Sequence, residues 1–200
     1  MKKITLPEPR YDSKVSIEMT LLKRRSVRSY KTDPLTIAEI SQLLWSAQGL
    51  TASRYRTAPS AGALYPLEVY VAAGNVSGLD AGLYKYYPHN HQIAMTITGD
   101  KRPELCRAGL NQGSIRSASA VMIFCAVFER VTGSYGKRGI QYVHMEAGHA
   151  IQNACLQAIS LGLGSVIIGA FNDDDVKSIM HLEHGEQPLL MLPVGKHRDG

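Results

Sequence analysis

Apolar positions along the chain fall into short blocks that switch between helical and extended spacing. Ser16 to Arg24 reads as a short amphipathic helix, with Ile17, Leu21 and Leu22 on one side. Leu35 to Gln48 is a stronger helix, because Leu35, Ile37, Ile40, Leu43, Leu44 and Ala47 recur near helical spacing. Thr36 followed by Glu39 has the form of a capping box, and Gly49 supplies the stop. The stretch from Thr51 to Gly62 is rich in Ser, Thr, Ala, Arg and Gly and reads as a loop. Strands are expected over Glu68 to Ala73, Gly82 to Tyr87 and His91 to Ile97, the last two joined through Pro88-His89-Asn90.

Lys101 to Leu110 reads as a helix, and Ala118 to Phe128 as a buried strand, with Val121, Ile123, Val127 and Phe128 supplying β-forming character. Glu129 to Gly139 is polar and glycine-bearing, the pattern of a loop. Tyr142 to Leu161 is the longest helix; Ala147, Gly148, Ala150, Ala154 and Ala158 let it approach its neighbours closely. Gly162 and Gly164 end it, and Ser165 to Ala170 follows as a strand. Asn172 caps a helix from Asp173 to Leu182 with its acids in the first turn, where the helix dipole favours them. Pro188 to Gly195 is the last strand. The order predicts an α+β fold over residues 1 to 200 as one domain, with residues 1 to 14 as an N-terminal arm.

Composition narrows the class without naming the chemistry. The chain has 200 residues, 44% of them hydrophobic and 20% charged, which suits an ordinary globular protein. The opening MKKITLPEPRYD lacks the apolar core of a signal peptide, and no run approaches the ~20 apolar residues of a membrane span, so a cytoplasmic location is expected. Cys106, Cys125 and Cys155 are isolated and form no CxxC pair, so they read as small core residues. A net charge of +5 raises the question of nucleic acid, but the basic residues form no long run and lack interleaved aromatics.

Candidate chemistry begins with Arg24, Arg25, Ser26 and Arg28. Guanidinium forks match phosphate oxygens, and a serine hydroxyl completes such a site; the competing reading is a solvated basic helix end. Gly162-Leu163-Gly164-Ser165 sits in the wrong place for a dinucleotide turn, since these glycines close a helix and lead into a strand. His144 and His149 are five apart, which puts them on different helix faces and argues against a zinc-protease motif. Pro59 to Pro66 forms a small-residue loop whose backbone can approach a flat ligand closely.

In this order the segments resemble the nitroreductase family of FMN enzymes, and within it the SagB-type dehydrogenase branch. The resemblance rests on Arg24-Arg25-Ser26-Val27-Arg28-Ser29-Tyr30, Ala58 to Pro66, Tyr135 to Gly139, Glu146 to Asn153, Leu161 to Phe171 and Pro193-Val194-Gly195-Lys196. It implies a mixed sheet flanked by helices and an intertwined homodimer with FMN at the interface. Carried over, Arg24, Arg25, Ser26 and Arg28 hold the flavin phosphate and ribityl chain, joined by Lys196 and Arg198. Pro59, Ser60, Ala61 and Gly62 line the isoalloxazine, from the partner subunit in one arrangement. Ile168, Gly169 and Ala170 approach the ring's reactive edge.

The implied activity is a ping-pong transfer of two electrons from NAD(P)H to a small electron-poor acceptor of nitroaromatic or quinone type. The alternatives are a dehydrogenase that oxidises a specific substrate such as an azoline, and a flavin-binding protein without turnover. Two departures bear on the choice. Gly169 stands where many nitroreductases carry an acid, and Gln141-Tyr142 stands where azoline oxidases have a Lys-Tyr pair. Tyr142 and Tyr65 are the only weak candidates for a proton donor, and both read more readily as packing aromatics. His149 reads as a helix-packing or supporting residue.

Overall fold

A computed structural model describes residues 3–52 and 54–197. Its frame is a seven-stranded sheet built from β1 (Lys3–Thr5), β3 (Leu67–Ala73), β5 (Gly82–Tyr87), β6 (Gln92–Thr98), β7 (Ala120–Val127), β8 (Leu163–Ser165) and β9 (Glu186–Lys196). The strand order is β1-β6-β5-β3-β7-β9-β8, and every pairing within it is antiparallel. Among the described residues, parallel pairing enters in two small places: the pair β2 (Leu35–Thr36) with β4 (Val76–Ser77), and a bridge between Ser26 and Ser165. The helices are α1 (Ile17–Lys23), α2 (Ile37–Gln48), α3 (Arg102–Ala108), α4 (Gly113–Ser117), α5 (Glu129–Tyr135), α6 (Arg138–Ser160) and α7 (Asp173–Met180).

The central strand β7 explains the two-sided core. Ala120, Met122, Phe124 and Ala126 enter one cluster with residues of α2 and α6, including Leu43, Leu44, Val143 and Ile151. Val121, Ile123 and Cys125 enter the other, with Leu105, Ile115, Val176 and Met180 from α3, α4 and α7. Alternate side chains point to opposite faces of a strand, so helices on both sides demand an unbroken apolar run. All three cysteines are buried and free.

Several elements match the pattern closely. The Thr36 hydroxyl accepts from the Glu39 N–H while a Glu39 carboxyl oxygen accepts from the Thr36 N–H, so the capping box forms. Asn172 Oδ1 accepts from the N–H groups of Asp174 and Asp175 at the start of α7. On α6, Ala147, Ala150, Ala154 and Ala158 are buried as the small-residue reading requires, whereas Gly148 of the same reading is exposed and meets no neighbour among the described residues.

Other elements differ. Residues 129–135, read as loop, form α5; only Val131 of that helix is buried, so no apolar stripe marks it. Strand β8 ends at Ser165, and beyond it the chain meets β9 through the Val166 N–H, which donates to the Pro193 carbonyl at 3.4 Å, and through the Ile168–Met191 bridge. The arm is not free, since β1 pairs with β6 and the Arg10 N–H donates to Gln42 Oε1 at 2.8 Å. On α1 the sole buried side chain is Thr20; Ile17, Leu21 and Leu22 face outward.

Candidate cofactor-binding site

The chain after α1 turns along the β8–β9 edge and brings the two ends of the sequence together. The Val27 N–H donates to the Ser165 carbonyl at 2.9 Å, and the Lys31 N–H donates to the Lys196 carbonyl at 2.9 Å. The Tyr30 hydroxyl donates to the Val27 and Pro193 carbonyls, so the buried ring staples this segment to β9. Two glycines make the fit possible. A Cβ on Gly164 would lie 2.6 Å from Val27 Cγ1, and one on Gly195 would lie 2.7 Å from the Tyr30 ring.

Among the described residues, two guanidiniums of this edge have no counter-ion. Neither Arg24 nor Arg28 has an ion pair or a side-chain hydrogen bond among the described residues, and the Ser26 hydroxyl is likewise unengaged. Arg25 behaves differently: its guanidinium turns back to the Leu22 and Arg24 carbonyls and closes α1. Lys196 is placed alongside by its backbone, while its ammonium pairs with the Glu39 carboxylate of the capping box. Arg198 lies outside the described residues. From Ser165 the chain runs on to Ile168, Gly169 and Ala170, an extended distance of about 13 Å. Ile168 is buried by its bridge to Met191, whereas Gly169 and Ala170 are exposed. Neither of their N–H groups donates to another group among the described residues. An edge with two unpaired guanidiniums, a free hydroxyl and open backbone donors fits a phosphate-bearing flat ligand such as FMN.

Pro59, Ser60, Ala61 and Gly62 lie elsewhere. With Tyr142, Met145, Glu146 and His149, the first three of them line a cavity of about 260 Å³ beside the first half of α6. None of the arginines of the β8–β9 edge borders it. Arg24 approaches Cys155 in the second half of α6, and nine helical residues separate Cys155 from Glu146, about 13 Å along the axis. The loop itself is unusual in backbone: Gly62, Ala63 and Tyr65 all take positive φ, at 62°, 53° and 47°. Strained residues of this kind persist where surrounding contacts fix them. Here the Tyr65 N–H donates to Ser60 Oγ at 2.9 Å, and the Tyr65 hydroxyl accepts the Arg56 N–H at 3.2 Å.

Both tyrosines considered as proton donors are tied into packing. Tyr65 lies 4.6 Å beneath the Arg56 guanidinium, and Tyr142 meets Tyr135 edge-on at 5.2 Å. His149 is exposed at the cavity, not packed within the helix bundle. The residue that sequence reasoning missed is Glu146, which is only 3% exposed. Burial pushes its carboxyl up to about 7, against the opposing pull of the Ser60 hydroxyl, the Arg56 charge and the Gln48 amide. Gln48 is near enough to exert that pull, yet Gln48 Nε2 and Glu146 Oε1 each complete no hydrogen bond of good geometry. Its position between ordinary helix residues gives no sequence signal beyond its place in the quoted Glu146–Asn153 segment.

The model of the Nitroreductase family matches residues 21–196. A nitroreductase homologue from Methanocaldococcus jannaschii is 47% identical over 183 residues, spanning 91% of each chain. The microcin B17-processing protein McbC of Escherichia coli is 30% identical over 174 residues, covering 82% of this chain and 64% of McbC. A solved nitroreductase structure from Ralstonia eutropha superposes with a TM-score of 0.85 at 31% identity, over 98% of this chain and 90% of that one. From the β8–β9 edge, the sheet order and these matches together, the chain belongs to the Nitroreductase family.

Proposed function

We propose that the protein is an FMN-dependent oxidoreductase that takes two electrons from NAD(P)H and passes them to a small electron-poor acceptor in a ping-pong cycle. The observation that carries this reading is the pair of guanidiniums, Arg24 and Arg28, without ion pairs among the described residues and set with Ser26 on the β8–β9 edge, from which the chain runs on to the open backbone of Gly169 and Ala170. Bound FMN would supply the two-electron chemistry. The chain's own task is to hold the phosphate with Arg24, Arg28 and Ser26, to offer backbone N–H groups from Gly169 and Ala170 to the ring edge, and to leave one ring face open. Lys196 would join the phosphate by leaving Glu39.

The separation of Pro59–Gly62 from that edge supports a two-chain site, in which the partner's loop covers the ring. So does α1, whose Ile17, Leu21 and Leu22 are all more than half exposed, together with exposed Ile140 and Met145 of α6. The three on α1 make an exposed apolar face of the kind that marks an association surface. No helix among the described residues is long and apolar enough to cross a membrane.

A second reading, oxidation of a specific substrate by a SagB-type dehydrogenase, draws on the likeness to McbC. Gln141, in place of the Lys of azoline oxidases, weighs against an azoline as that substrate.

Purified protein should be yellow or become yellow with added FMN, and NADPH should bleach it under anaerobic conditions. Arg28→Ala should weaken FMN binding about tenfold to a hundredfold, the worth of one charge-assisted hydrogen bond of roughly 1.5–3 kcal/mol. Flavin retained as tightly by the variant as by the parent would displace the phosphate from this edge.

A further inference from the structure

Five residues from three separate segments form a polar ring under the small-residue loop. Tyr65 N–H donates to Ser60 Oγ at 2.9 Å, and Ser60 shares a cavity wall with Glu146, near enough for its hydroxyl to favour the ionised carboxyl. On the other side, the Tyr65 hydroxyl accepts the Arg56 N–H at 3.2 Å, and Arg56 Nη1 donates to Gln48 Oε1 at 2.7 Å. Gln48 lies near enough to Glu146 to favour its ionised form, though no hydrogen bond of good geometry joins them. The ring ties the C-terminal end of α2, the loop 56–65 and the first half of α6 into one unit.

It is also incomplete. The two orphaned atoms, Gln48 Nε2 and Glu146 Oε1, belong to the same junction. Buried polar groups are otherwise almost always paired, so an unpaired pair at one junction marks a functional compromise. We propose that Glu146 is a positioning residue: acting through Ser60 and through Gln48 and Arg56, it fixes the backbone of residues 60–65, and its charge state sets how firmly that loop holds its shape against a ligand. The part concerning the ligand rests on the flavin reading above.

The direction follows from the partners. Ser60, Arg56 and Gln48 all favour the ionised carboxyl, while burial opposes it. Loss of the proton therefore strengthens three contacts of the ring, and gain of the proton relaxes them. Tyr135 of α5 lies beside Gly62 of the loop and packs on Tyr142. Arg56 faces Glu146 from the loop and itself feels Glu68 of β3, Arg130 of α5 and Tyr65. Tyr86 of β5 feels Arg56 as well. Tyr142 and His149 share the cavity wall on α6 itself.

The test reads the loop directly, in the unloaded protein. Hydrogen exchange at the Tyr65 amide, divided by its intrinsic rate at each pH, should slow about fivefold between pH 6 and pH 8, the difference between a neutral and a charge-assisted bond. In Glu146→Gln the same amide should exchange at a pH-independent rate near the pH 6 value of the parent. Ser60→Ala, which removes the acceptor, should leave it fast at both pH values. An exchange rate that is flat in the parent, or that changes equally in Glu146→Gln, overturns the proposal. FMN titration of parent and Glu146→Gln separates the two layers. Affinity that rises about fivefold over the same pH range in the parent, relative to the variant, supports the loop as a flavin contact. Affinity with no such difference overturns that contact. Parent protein that takes up no FMN at either pH removes the flavin reading, while the exchange rates still decide whether Glu146 positions the loop.

Discussion

Two buried carboxylates in this molecule have opposite surroundings. Glu186 at the start of β9 is 4% exposed and fully engaged: it accepts the Tyr70 hydroxyl at 2.5 Å and the Lys85 ammonium at 2.7 Å. Lys85 also reaches Glu68 at 3.5 Å, and Glu68 pairs with Arg130, so the charge is relayed outward to a half-exposed guanidinium. Glu146 is as deeply buried but has one oxygen without a partner and no direct ion pair among the described residues. The first network serves the sheet, joining β3, β5 and β9. The second sits under a strained loop at a cavity. A satisfied buried charge reads as architecture, and an unsatisfied one reads as a site.

The largest effect that separates the two should come from Glu186→Ala. It leaves Lys85 buried beside a single remaining acid and strips the Tyr70 hydroxyl of its acceptor, at a cost of about 3–5 kcal/mol in urea unfolding. A loss below about 1 kcal/mol would mean the network is dispensable and the contrast false.

Glu146→Gln should act with the opposite sign. A carboxyl near 4.5 in the unfolded chain and about 7 when folded binds more protons in the native state, so parent stability falls as pH rises from 4.5 through 7. The variant loses this slope and should exceed the parent by about 2–3 kcal/mol at pH 8, with the gap closing near pH 4. Parallel stability curves for the two proteins would refute the assignment.

A finer comparison pairs two hydroxyl deletions. Tyr70→Phe removes a bond to a carboxylate and should cost about 2 kcal/mol, while Tyr65→Phe removes the acceptor of the Arg56 N–H and should cost about 1 kcal/mol. Equal costs in thermal unfolding would blur the distinction between the two networks.

What could be read beforehand was what local chemistry encodes. The Thr36–Glu39 box, the Asn172 cap and the unbroken apolar run of β7 are each decided within a few residues, so pattern and structure agree there. Helix α5 escaped because its single buried residue leaves no periodic stripe, and β1 escaped because three residues at a sheet edge carry too little pattern. The apolar side of α1 was visible, but its direction was not, since a helical stripe looks the same whether it meets the core or another surface. The arginine cluster was legible because its members are adjacent in sequence. The ring of Gln48, Arg56, Ser60, Tyr65 and Glu146 exists only after α2, the loop and α6 have packed, so no window of sequence contains it.

The Lys196–Glu39 pair ties occupancy of the β8–β9 edge to the beginning of α2. Any anion that recruits Lys196 must first outcompete a carboxylate that is itself anchored by Thr36. Affinity at that edge is thereby tempered by an internal rival, and filling it returns a negative charge to the first turn of a helix, where the backbone dipole accommodates it.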